Sequence, residues 1–126
     1  MRIRFLKAKD RVILIEEGTL AKTWEKLAKA DEYNQTQEPR YRFMFPVDRK
    51  FFDERITSLP KGTELIVSQV YIRNKGWSDD SINFILPKEY RVSAEPRFDG
   101  EKVRVERMLR VALEDVEEWE IDRVRS

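Results

Sequence analysis

From residue 73 to residue 81 the chain places Arg73, Asn74, Lys75, Trp77, Ser78, Asp79, Asp80 and Ser81 almost without interruption. Guanidinium and ammonium groups pair with phosphate oxygens, amide and hydroxyl groups hydrogen-bond to ribose or phosphate, and an indole face stacks on a base. Any one of these residues fits an ordinary solvated turn; together they fit a nucleotide. A second candidate lies downstream. In residues 101–113 the odd positions Val103, Val105, Leu109, Val111 and Leu113 are apolar, and Arg107 interrupts them. A guanidinium in such a row must meet a carboxylate, escape along its own stem, or face a cavity that receives an anion. If a bulge shifts the register, Arg104 or Arg110 inherits that role.

Composition narrows the chemistry further. The chain has no Cys and no His, which removes the common nucleophile and base pairs, the usual zinc ligands and any disulfide framework. The carboxylates of Asp79 and Asp80, and the acidic run Glu114, Asp115, Glu117, Glu118 and Glu120, show no metal-ligand spacing. With glycine only at 18, 62, 76 and 100, no phosphate-cradling loop can be written. The expectation is therefore equilibrium binding, with no catalytic residue, no metal and no cofactor. Lys and Arg (25) balance Asp and Glu (24), so the chain lacks the global basic field of a duplex nucleic-acid binder. The opening MRIRFLKAK has no apolar signal core, and no window reaches a membrane span, so a cytoplasmic protein is expected.

The elements that must position these residues follow from periodicity. Residues 58–87 read as a hairpin: a strand over 63–73, rich in Ile66, Val67, Val70, Tyr71 and Ile72, and a return strand on which Ile82, Phe84 and Leu86 alternate with Ser81, Asn83 and Ile85. Strands are also expected at 2–7, 11–15, 41–45, 90–93 and, as the longest, 101–113. A helix over 20–30, capped by Thr19, carries the stripe Leu20, Trp24, Leu27 and Ala28, which is core unless Trp24 reaches a pocket rim to stack on a base. A second helix over 49–59, capped by Asp48, carries Phe52, Ile56 and Leu59. Residues 31–40 read as a loop, 115–119 as a helical turn, and 120–124 as a terminal strand or tail. The fold class is one α+β domain over residues 1–126: a mainly antiparallel sheet with two short helices.

Two segments, VYIRNKGWSDDSINFIL and RVERMLRVALEDVEEWEID, carry a family resemblance. An apolar strand ending in Tyr-Ile-Arg, a Lys-Gly-aromatic turn, a Ser-x-x-Phe return and a later Arg-rich strand running into Leu-Glu-Asp-Val resemble small bacteriophage proteins, and among them the Thoeris anti-defence 1 family. Lys22-Thr23-Trp24 and Leu59-Pro60-x-Gly62-Thr63 fit the same pattern. The resemblance implies an oligomeric sponge in the host cytoplasm that captures a cyclic ADP-ribose signal, or in some members cyclic oligonucleotides, without cleaving it. It assigns stacking to Trp77, a polar contact to Asn83, and phosphate pairing to Arg73 and Arg107. The acidic tail has no role in that picture. A different class of function, an inhibitor of a host defence or transcription component, would use the acidic face of residues 114–120 as a nucleic-acid decoy. No sequence feature favours a virion component.

Overall fold

The computed structural model describes residues 6–38, 46–72, 80–94, 99–100 and 104–124. In chain order these hold β1 (Arg11–Leu14), β2 (Gly18–Thr19), α1 (Ala21–Gln35), α2 (Pro46–Asp53), β3 (Ser58–Leu59), β4 (Glu64–Tyr71) and β5 (Ser81–Ile85). A 3-10 turn at Lys88–Tyr90 follows, then β6 (Val92–Ala94), β7 (Arg104–Glu106), β8 (Met108–Ala112), α3 (Leu113–Val116) and β9 (Ile121–Val124). The α+β class holds, as a single small domain. Its main sheet is antiparallel throughout, in the order β8-β5-β4-β1-β9, with two-stranded ribbons β2-β3 and β6-β7 beside it. Among the described residues no helix is long and apolar enough to cross a membrane.

Alternation gives the sheet two unlike faces. Val12, Leu14, Leu65, Val67, Ile82, Phe84, Leu109, Val111 and Ile121 point to one side, where Leu20, Val47 and Phe51 complete a shielded core. The opposite, open face carries the row Val124, Arg11, Ile66, Ile85 and Met108 across all five strands. The last strand, expected as a tail or strand, is an edge of the sheet, where Asp122 and Arg123 blunt it against strand addition.

Several expected boundaries move, each for a local reason. The helix expected to end at residue 30 runs on to Gln35, so the first half of the polar stretch read as a loop belongs to the helix. The second helix stops at Asp53 instead of residue 59. Arg55 takes a left-handed conformation (φ 52°), while the Ile56 N–H bonds to the Phe51 carbonyl (2.8 Å) and the Arg55 N–H to that of Phe52 (3.2 Å). This is a Schellman stop built without glycine, which is why no sequence signal announced it. Ile56 consequently leaves the helix, Leu59 joins β3, and the buried helical aromatic is Phe51. The single strand expected over 101–113 breaks at Arg107 into β7 and β8. The strands expected at 2–7 and 41–45 fall mainly outside the described residues, and Leu6 and Lys7 are not in a strand.

Candidate functional site

A β-bulge decides which side chains reach the open face near the end of the hairpin. The pairing of β4 with β5 shifts between Val67 and Gln69. Strict alternation from Leu65 and Val67 would turn Gln69 and Tyr71 into the core. With one extra residue at Ser68, Val70 turns inward against the core, and Gln69 and Tyr71 turn outward. Gln69, Asn83 and Arg110 then stand side by side across three strands, with Tyr71, Ser81 and Ala112 as the next row.

Arg110 is held there from two directions. Its guanidinium carbon lies 5.0 Å from the centre of the Tyr71 ring, and its Nε donates to Asn83 Oδ1 at 3.3 Å. The Tyr71 hydroxyl in turn donates to Gln69 Oε1. The ring contact and the Nε bond hold the guanidinium in place, and a guanidinium held this way can pair with a phosphate. Arg110 is exposed, so an anion can reach it.

Behind this row, the free edge of β8 is covered by the two helices. Leu86 N–H donates to the Arg107 carbonyl (2.8 Å) and Leu113 N–H to the Asp80 carbonyl (2.9 Å), so the intervening even-numbered residues of β8 turn their backbone groups outward. The Ala112 N–H donates to Thr23 Oγ1 on α1 (2.9 Å). The Arg110 N–H donates to the carboxyl of Asp48 on α2. Asp48 Oδ1 is fully shielded and has no hydrogen-bond partner, and on the same helix–helix interface the Trp24 indole N–H is in the same condition. Desolvation raises the Asp48 pKa to about 7, against the opposing attraction of Arg110 and its backbone N–H.

Of the sequence-predicted site residues, Asn83 is half-buried and part of the Arg110 cluster. Arg73 and Trp77 lie outside the described residues, in the stretch between β4 and β5. Arg107 is solvent-exposed at the junction of β7 and β8, not in a buried apolar row: Val105 before it is 60% exposed, and only Leu109 and Val111 beyond it enter the core. It stands three strand residues, about 10 Å, from Arg110, on the side away from the hairpin turn. Arg110 was legible only as what a bulge would substitute, and the bulge that matters lies in β4 instead of beside Arg107. Tyr71 was legible as a strand residue alone. Trp24 stacks on Phe52 (centroids 5.4 Å apart, 19°), so α2 occupies one of the faces a base would need.

The acidic run is divided between interior and surface. Asp115 is buried and accepts from Lys22 N–H (3.1 Å), Thr23 N–H (2.7 Å) and Thr23 Oγ1 (2.7 Å), so it caps α1 from across the sequence. Trp119 is buried. It stacks near Phe84 (5.9 Å), donates from Nε1 to the Thr19 carbonyl (2.9 Å), and covers Gly18 so closely that a Cβ there would meet its ring at 2.9 Å. Glu114, Glu117, Glu118 and Glu120 remain exposed, and Glu114 faces Lys26 (3.4 Å). No family model, curated protein or solved structure matches the chain.

Proposed function

We propose that this protein binds and sequesters a cyclic nucleotide signal of the cyclic ADP-ribose type, without cleaving it, as a homo-oligomeric anti-defence protein in the host cytoplasm. One observation carries the reading: an exposed guanidinium on β8, buttressed by the Tyr71 ring and the Asn83 amide, stands on the open face beside the hairpin strands. Arg110 takes the diphosphate, with Asn83 orienting it, and Tyr71 supplies the wall of the site. From the sequence, Arg73 and Trp77 are assigned to a second phosphate contact and to the adenine. A ligand of about 35 heavy atoms at about 0.3 kcal/mol per atom reaches roughly 10 kcal/mol, a Kd in the tens of nanomolar. Such affinity suffices for sequestration with no chemical step.

The test is native mass spectrometry of the purified protein, alone and with cyclic ADP-ribose isomers and cyclic di- and trinucleotides. It reports subunit number and bound mass together. The expected result is one class of nucleotide retained at fixed stoichiometry, with Arg110→Ala weakening it by about 10- to 100-fold, the worth of a charged hydrogen-bonded pair. Retention of no nucleotide, or equal binding by wild type and Arg110→Ala, would overturn the proposal.

A further inference from the structure

We propose that Asp48 is a proton switch on the Arg110 site, so that the site holds its anion tightly when Asp48 carries a proton and loosens when it ionises. This rests on the nucleotide reading above and adds regulation to it. The geometry places one half-buried carboxyl, its Oδ1 fully shielded, where α2 meets the strand that bears the anion-binding side chain. Asp48 accepts the Arg110 backbone N–H and its charge acts on the Arg110 guanidinium, while its Oδ1 is shielded with no partner. A carboxylate in that position is poorly solvated, whereas the neutral acid has a hydroxyl to offer and no charge to desolvate.

Among the described residues, the neighbouring charges leave Asp48 and Arg110 to each other. On α1, which packs against α2, Asp31 is engaged by Arg49, and the Trp24 indole brings no charge. On the side of β6, Lys50 donates to the Glu89 carbonyl (2.8 Å) and Arg91 to the Leu86 carbonyl (3.2 Å). On β8 the charged group acting on Asp48 is Arg110 itself. An ionised Asp48 therefore offsets part of the positive field that an incoming phosphate meets, and repels the phosphate directly. By linkage, a bound phosphate raises the Asp48 pKa further, so binding takes up a proton and affinity falls as pH rises through about 7.

Two measurements on the full chain separate this from the reading beneath it. Carboxyl-carbon NMR of the ligand-free protein, with Asp48→Asn to assign the signal, should show Asp48 titrating near neutrality; a midpoint near 4 would overturn the switch whatever the protein binds. Calorimetric titration with cyclic ADP-ribose at pH 6 and pH 8 should show wild-type affinity falling about 5- to 10-fold, the effect of one nearby charge at intermediate dielectric. Asp48→Asn should bind at both pH values as wild type does at pH 6. Because the variant shares any titration of the ligand itself, only the difference between the two proteins counts. Equal pH dependence in both would overturn the switch and leave the nucleotide reading standing. Binding by neither protein at either pH would remove both.

Discussion

Asp115 and Asp48 stand where α1 and α2, respectively, meet the free edge of β8, and their surroundings treat them in opposite ways. Asp115 receives three donors within 3.1 Å, and Thr23, which gives two of them, also accepts the Ala112 N–H. Every polar group in that chain has a partner. Asp48 receives the Arg110 N–H on one side and nothing on Oδ1, next to a helix–helix interface where the Trp24 N–H is unmatched as well. A satisfied buried carboxyl fixes a helix in place; a half-satisfied one leaves free energy that a proton can release. The first region is thus built for permanence and the second for change.

Breaking the satisfied region should cost most. Asp115→Ala removes the cap of α1 and leaves the Thr23 hydroxyl hydrogen and two backbone N–H groups without their acceptor. We expect a loss of about 3 kcal/mol, or roughly 10 °C in melting temperature, read by urea and thermal denaturation. A loss under about 1 kcal/mol would show that packing, and not this carboxyl, docks α1.

Repairing the unsatisfied region should have the opposite sign. The folded-state pKa of Asp48, about 7, lies above its ordinary value of 3.8, so the folded chain holds a proton that the unfolded chain has released between those pH values. Stability contributed by this group is full below about pH 4, declines as pH rises toward 7, and is flat beyond. Asp48→Asn cannot ionise. It should therefore match wild type near pH 4 and exceed it at pH 8 by about 2 kcal/mol, with the pKa shift setting an upper bound of about 4 kcal/mol. If the gain were the same at both pH values, the benefit would come from packing alone.

Thr23→Val probes the link between the two regions, because the hydroxyl joins Asp115 to the β8 edge. Losing it orphans the Ala112 N–H and should cost about 1–2 kcal/mol, whereas Thr23→Ser should recover most of that. Equal losses in both variants would point to the Thr23 methyl group as the source.

What sequence could show of this contrast was set by range. The hairpin, the first helix and the α+β class rest on local period and turn chemistry, and they were legible from Ile82, Phe84 and Leu86 or from Leu20 and Trp24. The cap of α1 comes from a residue 92 positions away from Thr23, inside what reads as a solvated acidic run, and no local pattern reports such a pairing. The bulge at Ser68 is equally silent: it leaves the strand apolar and merely exchanges the faces of Val70 and Tyr71, yet it decides that Arg110 meets an aromatic ring. The place of Asn83 on the mixed face of β5 was legible because its strand alternates cleanly, whereas its binding role was only what the resemblance implied. Arg107 misled because the row in which it was counted is broken at its own position, where β7 gives way to β8.

The smallest effect sharpens the same point. Thr19 has the type and position of a helix cap, but the residue at the start of α1 is Leu20, with no side-chain cap bond of its own, and the first N–H groups turn to Asp115. Only the Thr19 carbonyl is used, by the Trp119 indole, and any residue supplies a carbonyl. Thr19→Ala should therefore change stability by less than about 0.5 kcal/mol, against the ~1 kcal/mol typical of removing a working cap. A loss at the level of a true cap would mean that α1 starts on its local residue and that Asp115 only reinforces it, and the contrast with Asp48 would then narrow to one unpaired oxygen.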